Sequence, residues 1–259
     1  MLQKVLSSAG NIEMHHEYAV DIVQRLAVRH YLGLTNDNET RDVLRATHAA
    51  AIHYSKAAHW GDSSNKLSWL IPELANLLPR AKFVHLVRDG RKVTSSYFHK
   101  LGAECYDDRS SGILQAFFDN LTETPAPPPE KKYWWPCPRA SDPLAQEFRR
   151  FDQFQRIAWH WAEINRVILE GLQHVGPSQQ HFVRLEELQE SAVAVRALFG
   201  FLDLGYRNDH AVAFARPHNV NRPEDRLLDS RQRMQFDALA GRMMERLGYA
   251  DRPEYVVNY

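Results

Sequence analysis

This chain predicts an α/β architecture, a short and mostly parallel sheet flanked by helices, in one domain spanning residues 1–259. Three observations predict it. Strand candidates at 12–17, 82–87 and 181–185 are separated by helical segments, an order that favours crossover connections and parallel pairing. The stretch 65–100 reads helix, turn, strand, helix without interruption. With 259 residues, 44% hydrophobic and 25% charged, the chain is long and apolar enough to bury a full core.

The elements follow in chain order. "MLQKVLSS" is helical from residue 1, with no Ser, Thr, Asp or Asn before it to cap the start. "IEMHHE" is a short strand. "AVDIVQRLAVRHYL" is a helix by the spacing of Ile22, Val23, Leu26 and Val28, and 40–56 is a second helix of weaker period. Leu67, Leu70, Ile71, Leu74, Leu77 and Leu78 form a helical stripe that Pro79 stops, and the strand 82–87 follows. A helix resumes at Arg91. Residues 122–143 hold seven prolines and the adjacent Trp134 and Trp135, which makes this segment an extended loop or flap. A long helix from about Leu144 to Gln173 turns Phe151, Phe154, Ile157, Trp161, Ile164 and Ile168 inward. After the strand "HFVRL" come helices near 191–202 and 229–247. No internal repeat is visible.

Composition narrows the function. Lys+Arg and Asp+Glu both number 32, so no overall charge draws the chain to nucleic acid or an anionic membrane, and any anion site is local. Cys105 and Cys137 are too few for a disulfide framework and lack a CxxC spacing. No apolar run of about 18 residues is present to span a bilayer, and the N-terminus lacks the basic and apolar regions of a signal peptide. A reducing, cytoplasmic location is the expectation. The thirteen histidines form no HExxH or comparable ligand set, so no metal is expected.

The chemistry concentrates at 83–100, "FVHLVRDGRKVTSSYFHK". Arg88 ends a strand at the mouth of a helix, the place where α/β sheets bind ligands. A guanidinium clamps two phosphate oxygens, and the hydroxyls of Ser95 and Ser96 and the amides of the helix start add donors. Taken alone, "RDGRK" is equally an exposed ion pair at a turn followed by a solvated face.

The longer segment "NKLSWLIPELANLLPRAKFVHLVRDGRKVTSSYFHK" resembles the part of sulfotransferases that holds the 3′-phosphate of 3′-phosphoadenosine 5′-phosphosulfate. In that family a Lys precedes a helix, a Pro ends the helix, and a short strand delivers an Arg with a Ser eight residues later. The same register here gives Lys66, Pro79, Arg88 and Ser96. The "VRDGR" wording is similar to the tyrosylprotein branch, in which a further cation four residues beyond the Ser helps hold the phosphate. Lys100 occupies that position. "MLQKVLSSAGNIEMHHEY" resembles the helix and strand that lead to the family's general base, which implies that role for Glu17; the alternative is a solvated carboxylate before the next helix. Lys66 is implied as the cation that neutralises charge on the transferred group and the leaving phosphate, against a solvated lysine at a helix start.

"FVRLEELQES" is similar to the family's strand and Arg/Tyr-Glu-Asp-Leu turn, with Leu185 where that turn has an aromatic. "PHNVNRPEDRLLDSRQRMQFDALAGRMMERLGY" resembles its C-terminal loop and final helix, which makes Asn221 and Arg222 nucleotide contacts or members of a hydrogen-bonded loop. Together these matches cover nearly the whole chain. They imply a P-loop-like sulfotransferase fold lacking its first strand: the Ser-Gly-Thr-Thr loop that wraps the 5′-phosphosulfate, expected just before "MLQKVL", is absent from the sequence. Either translation begins upstream and Met1 is internal, or the chain is a shortened relative. The function implied is transfer of a sulfuryl group to a hydroxyl or amine on a small molecule, glycan or peptide. The alternatives are a non-catalytic nucleotide-binding or interaction protein and a kinase-like phosphotransferase, for which no Walker loop is found. Trp134 and Trp135 either stack on an acceptor or anchor the flap.

Overall fold

The structure, a computed structural model, describes residues 1–216 and 227–254. Helix α1 (Leu2–Ser7) has no side-chain cap and buries Val5 and Leu6. Strand β1 (Ile12–His16) and helix α2 (Val20–Tyr31) follow, and Val23, Leu26, Ala27 and Tyr31 of α2 face the core at helical spacing. The helix expected over 40–56 is three pieces: α3 (Asp37–Leu44), a π-helical segment (Arg45–Ala49) and α4 (Ala50–Tyr54). The Thr47 hydroxyl donates to the Val43 carbonyl at 2.8 Å. Such back-bonding bends a helix and accompanies the wider turn.

Strand β2 (His59–Ser63) was not legible in the sequence. The predicted helix of the Leu67–Leu78 stripe begins as a 3-10 segment (Lys66–Leu70) and becomes α5 (Ile71–Leu77) where Pro72 enters its first turn, the position in which a missing N–H costs nothing. Strand β3 (Phe83–Val87) and helix α6 (Gly90–Lys100) agree with expectation to within a residue. Helix α7 (Asp108–Asp119) is capped by Asp107. The long helix expected from 144 is instead α8 (Ala145–Phe148), a break, and α9 (Gln153–Gly171). Asp152 and Gln155 form a capping box that starts α9 afresh. Strand β4 (Gln180–Arg184), then α10 (Leu185–Glu190), α11 (Ala192–Phe201), α12 (Asn208–Ala215) and α13 (Ser230–Arg246) complete the described chain.

The strands pair in parallel, as two separate two-stranded sheets. β1 lies beside β2, from Ile12 opposite His59 to His16 opposite Ser63. β3 lies beside β4, from Phe83 opposite Gln180 to Val87 opposite Arg184. Side chains of β1 and β3, including Ile12, Met14, Val84 and Leu86, share a hydrophobic cluster with Val195, Leu198 and Phe199 of α11. On the other side α9 is the spine: Phe154, Ala158 and Trp161 pack against Phe236, Ala240 and Met243 of α13, while Ile164 joins the α2 and α5 cluster. Of the expected inward residues, Ile168 is only half-buried, and Phe151 lies in the break before α9. Among the described residues no helix is long and apolar enough to cross a membrane.

Candidate functional site

Two positions after β1 make an unusual turn. Glu17 and Ala19 both take left-handed backbone conformations, with φ of 56° and 50°, a region sparsely used by residues with a Cβ. The turn is held by β2: the Glu17 amide donates to the Ser63 carbonyl at 3.3 Å and the Tyr18 amide to Asp62 Oδ1 at 3.1 Å. Strain of this kind persists only where neighbours over-determine it. Here it sends the Glu17 carboxylate toward Lys66.

Lys66 Nζ lies 3.5 Å from Glu17 Oε1, and Lys131 Nζ lies 2.5 Å from Glu17 Oε2. The expected pair is therefore brought together, with a second lysine that sequence reasoning did not single out. Lys131 sits in the 3-10 turn Lys131–Tyr133 of the flap. Buried Gln24 of α2 docks that turn, donating to the carbonyls of Lys131 and Trp134 at 3.1 and 2.5 Å. Nothing in "EKKYWW" announces a contact with a carboxylate 114 positions away.

The two tryptophans anchor the flap. Trp134 and Trp135 are buried, and their indole N–H groups donate to the carbonyls of Pro128 and Glu104 at 2.7 Å each. Trp135 also lies beneath Lys66, whose ammonium is 4.5 Å from the ring centroid, a cation–π contact strengthened by burial. Burial pushes the Lys66 pKa down to about 8, although Glu17 counteracts it. Burial alone pushes the Glu17 carboxyl up, but Lys66 and Lys131 outweigh it and hold the group below its ordinary value. Behind Lys66 a cavity of about 10 Å³, bordered by Gln24, Trp69, Pro136 and His160, has room for one water and none for an organic ligand. His160 is neutral there, its pKa pushed down to about 3 by burial and then by Lys66. Both cysteines are buried free thiols, Cys137 raised by burial to about 12 and Cys105 raised likewise, so neither is a ready nucleophile.

The second group of expected residues lies at the exit of β3. Asp89 is buried; its carboxylate caps α6 by accepting from the Arg91 amide at 2.9 Å and also takes the Arg91 guanidinium. The Asp89 amide donates to Glu186 Oε1 at 3.0 Å, and Glu186 Oε2 accepts from Tyr249 Oη at 2.7 Å. Arg91 and Lys92 are thus committed to Asp89 and Glu254. Half-buried Arg88 has no ion pair with the described residues. Ser96 and Lys100 stand four residues apart on α6, on one face of the helix, Ser96 half-buried and Lys100 exposed. Asn221 and Arg222 lie outside the described residues. Among the described residues no group of three or more His, Cys, Asp or Glu is arranged to hold a metal ion.

A model of the Sulfotransferase family matches residues 6–123, just under half of the chain and inclusive of Glu17, Lys66, Arg88, Ser96 and Lys100. Among solved structures, the chain is similar to the sulfotransferase domain from the curacin biosynthetic pathway, at 10% identity and a TM-score of 0.42 over 90% of this chain and 80% of that one. No curated protein matches the chain in sequence.

Proposed function

We propose that this chain is a sulfotransferase that moves a sulfuryl group from 3′-phosphoadenosine 5′-phosphosulfate to a hydroxyl acceptor, with an amine as the other acceptor class. The observation that carries the reading is the approach of Glu17 and Lys66 to 3.5 Å, the two residues for which the family resemblance implies base and cation. The family match over 6–123 and the "VRDGR" register of the tyrosylprotein branch support it.

When bound, the donor supplies the sulfuryl group and departs as adenosine 3′,5′-bisphosphate. Glu17 takes the acceptor proton as the acceptor oxygen bonds to sulfur and the bond from sulfur to the 5′-phosphate oxygen breaks. Lys66, charged below pH about 8, sets a fixed positive charge where negative charge develops on the departing oxygen. Arg88, Ser96 and Lys100 hold the 3′-phosphate, so that binding far from the reaction fixes orientation. Arg88, without an ion pair among the described residues, and the shared face of Ser96 and Lys100 fit that task. A second reading, a nucleotide-binding or interaction protein without transfer activity, is favoured by the Lys131 contact that occupies Glu17.

Calorimetry with adenosine 3′,5′-bisphosphate tests the assignment. The chain is expected to bind it, and Arg88→Ala to bind it about 10- to 100-fold more weakly, the loss of charge-assisted hydrogen bonds. No binding, or equal affinity in both proteins, overturns the reading. Binding without turnover over a broad acceptor panel selects the second one.

A further inference from the structure

Glu17 is gripped from two sides, and the two lysines differ in exposure. Side-chain exposure rises from 6% at Lys66 through 18% at Glu17 to 38% at Lys131. Lys66 is the inner cation, built into the core on Trp135, whereas Lys131 is the outer one, met first by anything that approaches Glu17 from solvent. Its backbone is fixed by Gln24, so its ammonium moves on a flexible four-carbon stem while the flap stays docked. The charged neighbours that act on Glu17 are Lys66, Lys131 and, when protonated, His16.

An acceptor hydroxyl must come within about 2.6–3.2 Å of the Glu17 carboxylate to surrender its proton. Lys131 already donates to Oε2 of that group. A neutral acceptor either leaves Lys131 in place, with the base blunted, or displaces it and leaves a half-buried ammonium without its counter-charge. An acceptor that carries its own anion avoids both costs, because its anion receives Lys131 while its hydroxyl takes the vacated side of Glu17.

We infer that Lys131 is a specificity-determining residue that selects hydroxyl acceptors bearing an anionic group, a carboxylate or its equivalent, within two hydrogen-bond lengths of the hydroxyl, about 5–6 Å. This rests on the assignment of Glu17 as proton acceptor. Lys131 trades one carboxylate for another as the acceptor arrives, and the trade itself restores the basicity of Glu17. The flap lysine thereby couples recognition of the acceptor to readiness of the base.

The test uses the matched pair 3-hydroxybenzoate and 3-hydroxybenzamide, with binding followed by ligand-observed NMR in the absence of nucleotide. The acid is expected to bind the chain about tenfold more tightly than the amide, as a charge-assisted contact requires. Lys131→Gln should bring the two ligands within about threefold, and Lys131→Glu should reverse the preference. Glu17→Gln should tighten binding of the acid, since Lys131 is released from its internal partner; a surface lysine that merely attracts anions would not respond. Equal binding of acid and amide, no binding of the acid, a preference that survives Lys131→Gln, or an acid affinity unchanged in Glu17→Gln each overturns the inference. Loss of the donor reading shows separately, as absence of bisphosphate binding, because the acid and amide comparison needs no nucleotide.

Discussion

Lys66 brings an ammonium into the core, 5% exposed and seated on an indole face. Its desolvation is only partly offset by Glu17, which is why its pKa falls from 10.5 to about 8. Below pH 8 the group is charged in both the folded and unfolded chain, and the fold bears the cost of burying that charge. Between about 8 and 10.5 the folded state releases the proton while the unfolded state keeps it, so stability from this group rises with pH. Replacing the charge with an apolar side chain of similar length removes the penalty. Lys66→Met is therefore expected to be more stable than the parent at pH 7, by on the order of 2–3 kcal/mol, with the advantage shrinking toward pH 10. Thermal melts of both proteins across pH 7–10 check this, and a Lys66→Met protein that melts lower at pH 7 contradicts it. On the proposed role of Lys66 as the charge-neutralising cation, the variant is also expected to lose transfer.

At the scale of elements, helix α6 depends on one glycine. A Cβ at Gly90 would sit 2.6 Å from the ring of Trp161, so the first turn of α6 lies flat on α9 and no side chain fits between them. Gly90→Ala must lift that turn, with an expected cost of about 1–3 kcal/mol as for other overpacked sites. Because α6 carries Ser96 and Lys100, bisphosphate affinity should fall with it; a melt and a titration unchanged from the parent would show that α9 yields instead. What was legible in the sequence follows the same physical lines. β3, α6 and α2 were readable because apolar spacing and punctuation agree there. β2 was not, because "HWGDS" has no alternating apolar face and is held by backbone pairing to β1. The break before α9 was available in the Asp152 and Gln155 capping box but was overridden by the continuing apolar stripe. Glu17 and Lys66 emerged through their registers in a resembling segment, whereas Lys131 and Gln24 act across more than a hundred residues and have no local signal.

For the whole molecule, the decisive connection is between the far end of the chain and the exit of β3. Helix α13 ends at Arg246 with Leu247 as its C-cap, Gly248 turns the chain with a φ of 75°, and Tyr249 returns to the interior at 1% exposure. Gly248 is required by that backbone angle, and a Cβ there, 2.3 Å from Arg184 Nη2, would also push that guanidinium aside. Arg184, at the end of β4, donates to the Leu247 carbonyl at 2.7 Å, and Tyr249 donates to Glu186 at 2.7 Å, which in turn accepts from the Asp89 amide. The residue next to Arg88 is thus fixed by a buried chain of bonds that begins in the last described turn. Tyr249→Phe removes one hydroxyl and leaves Glu186 Oε2 buried without its donor, which costs about 1–3 kcal/mol and should lower Tm by roughly 2–6 °C in a chain of this size. If the network holds the strand exit, bisphosphate affinity falls together with stability, and a double-mutant cycle with Glu186→Gln shows coupling of about 1 kcal/mol between the two positions. Strictly additive losses would mean that Tyr249 only fills space, and that the position of Arg88 is set by β3 and β4 alone.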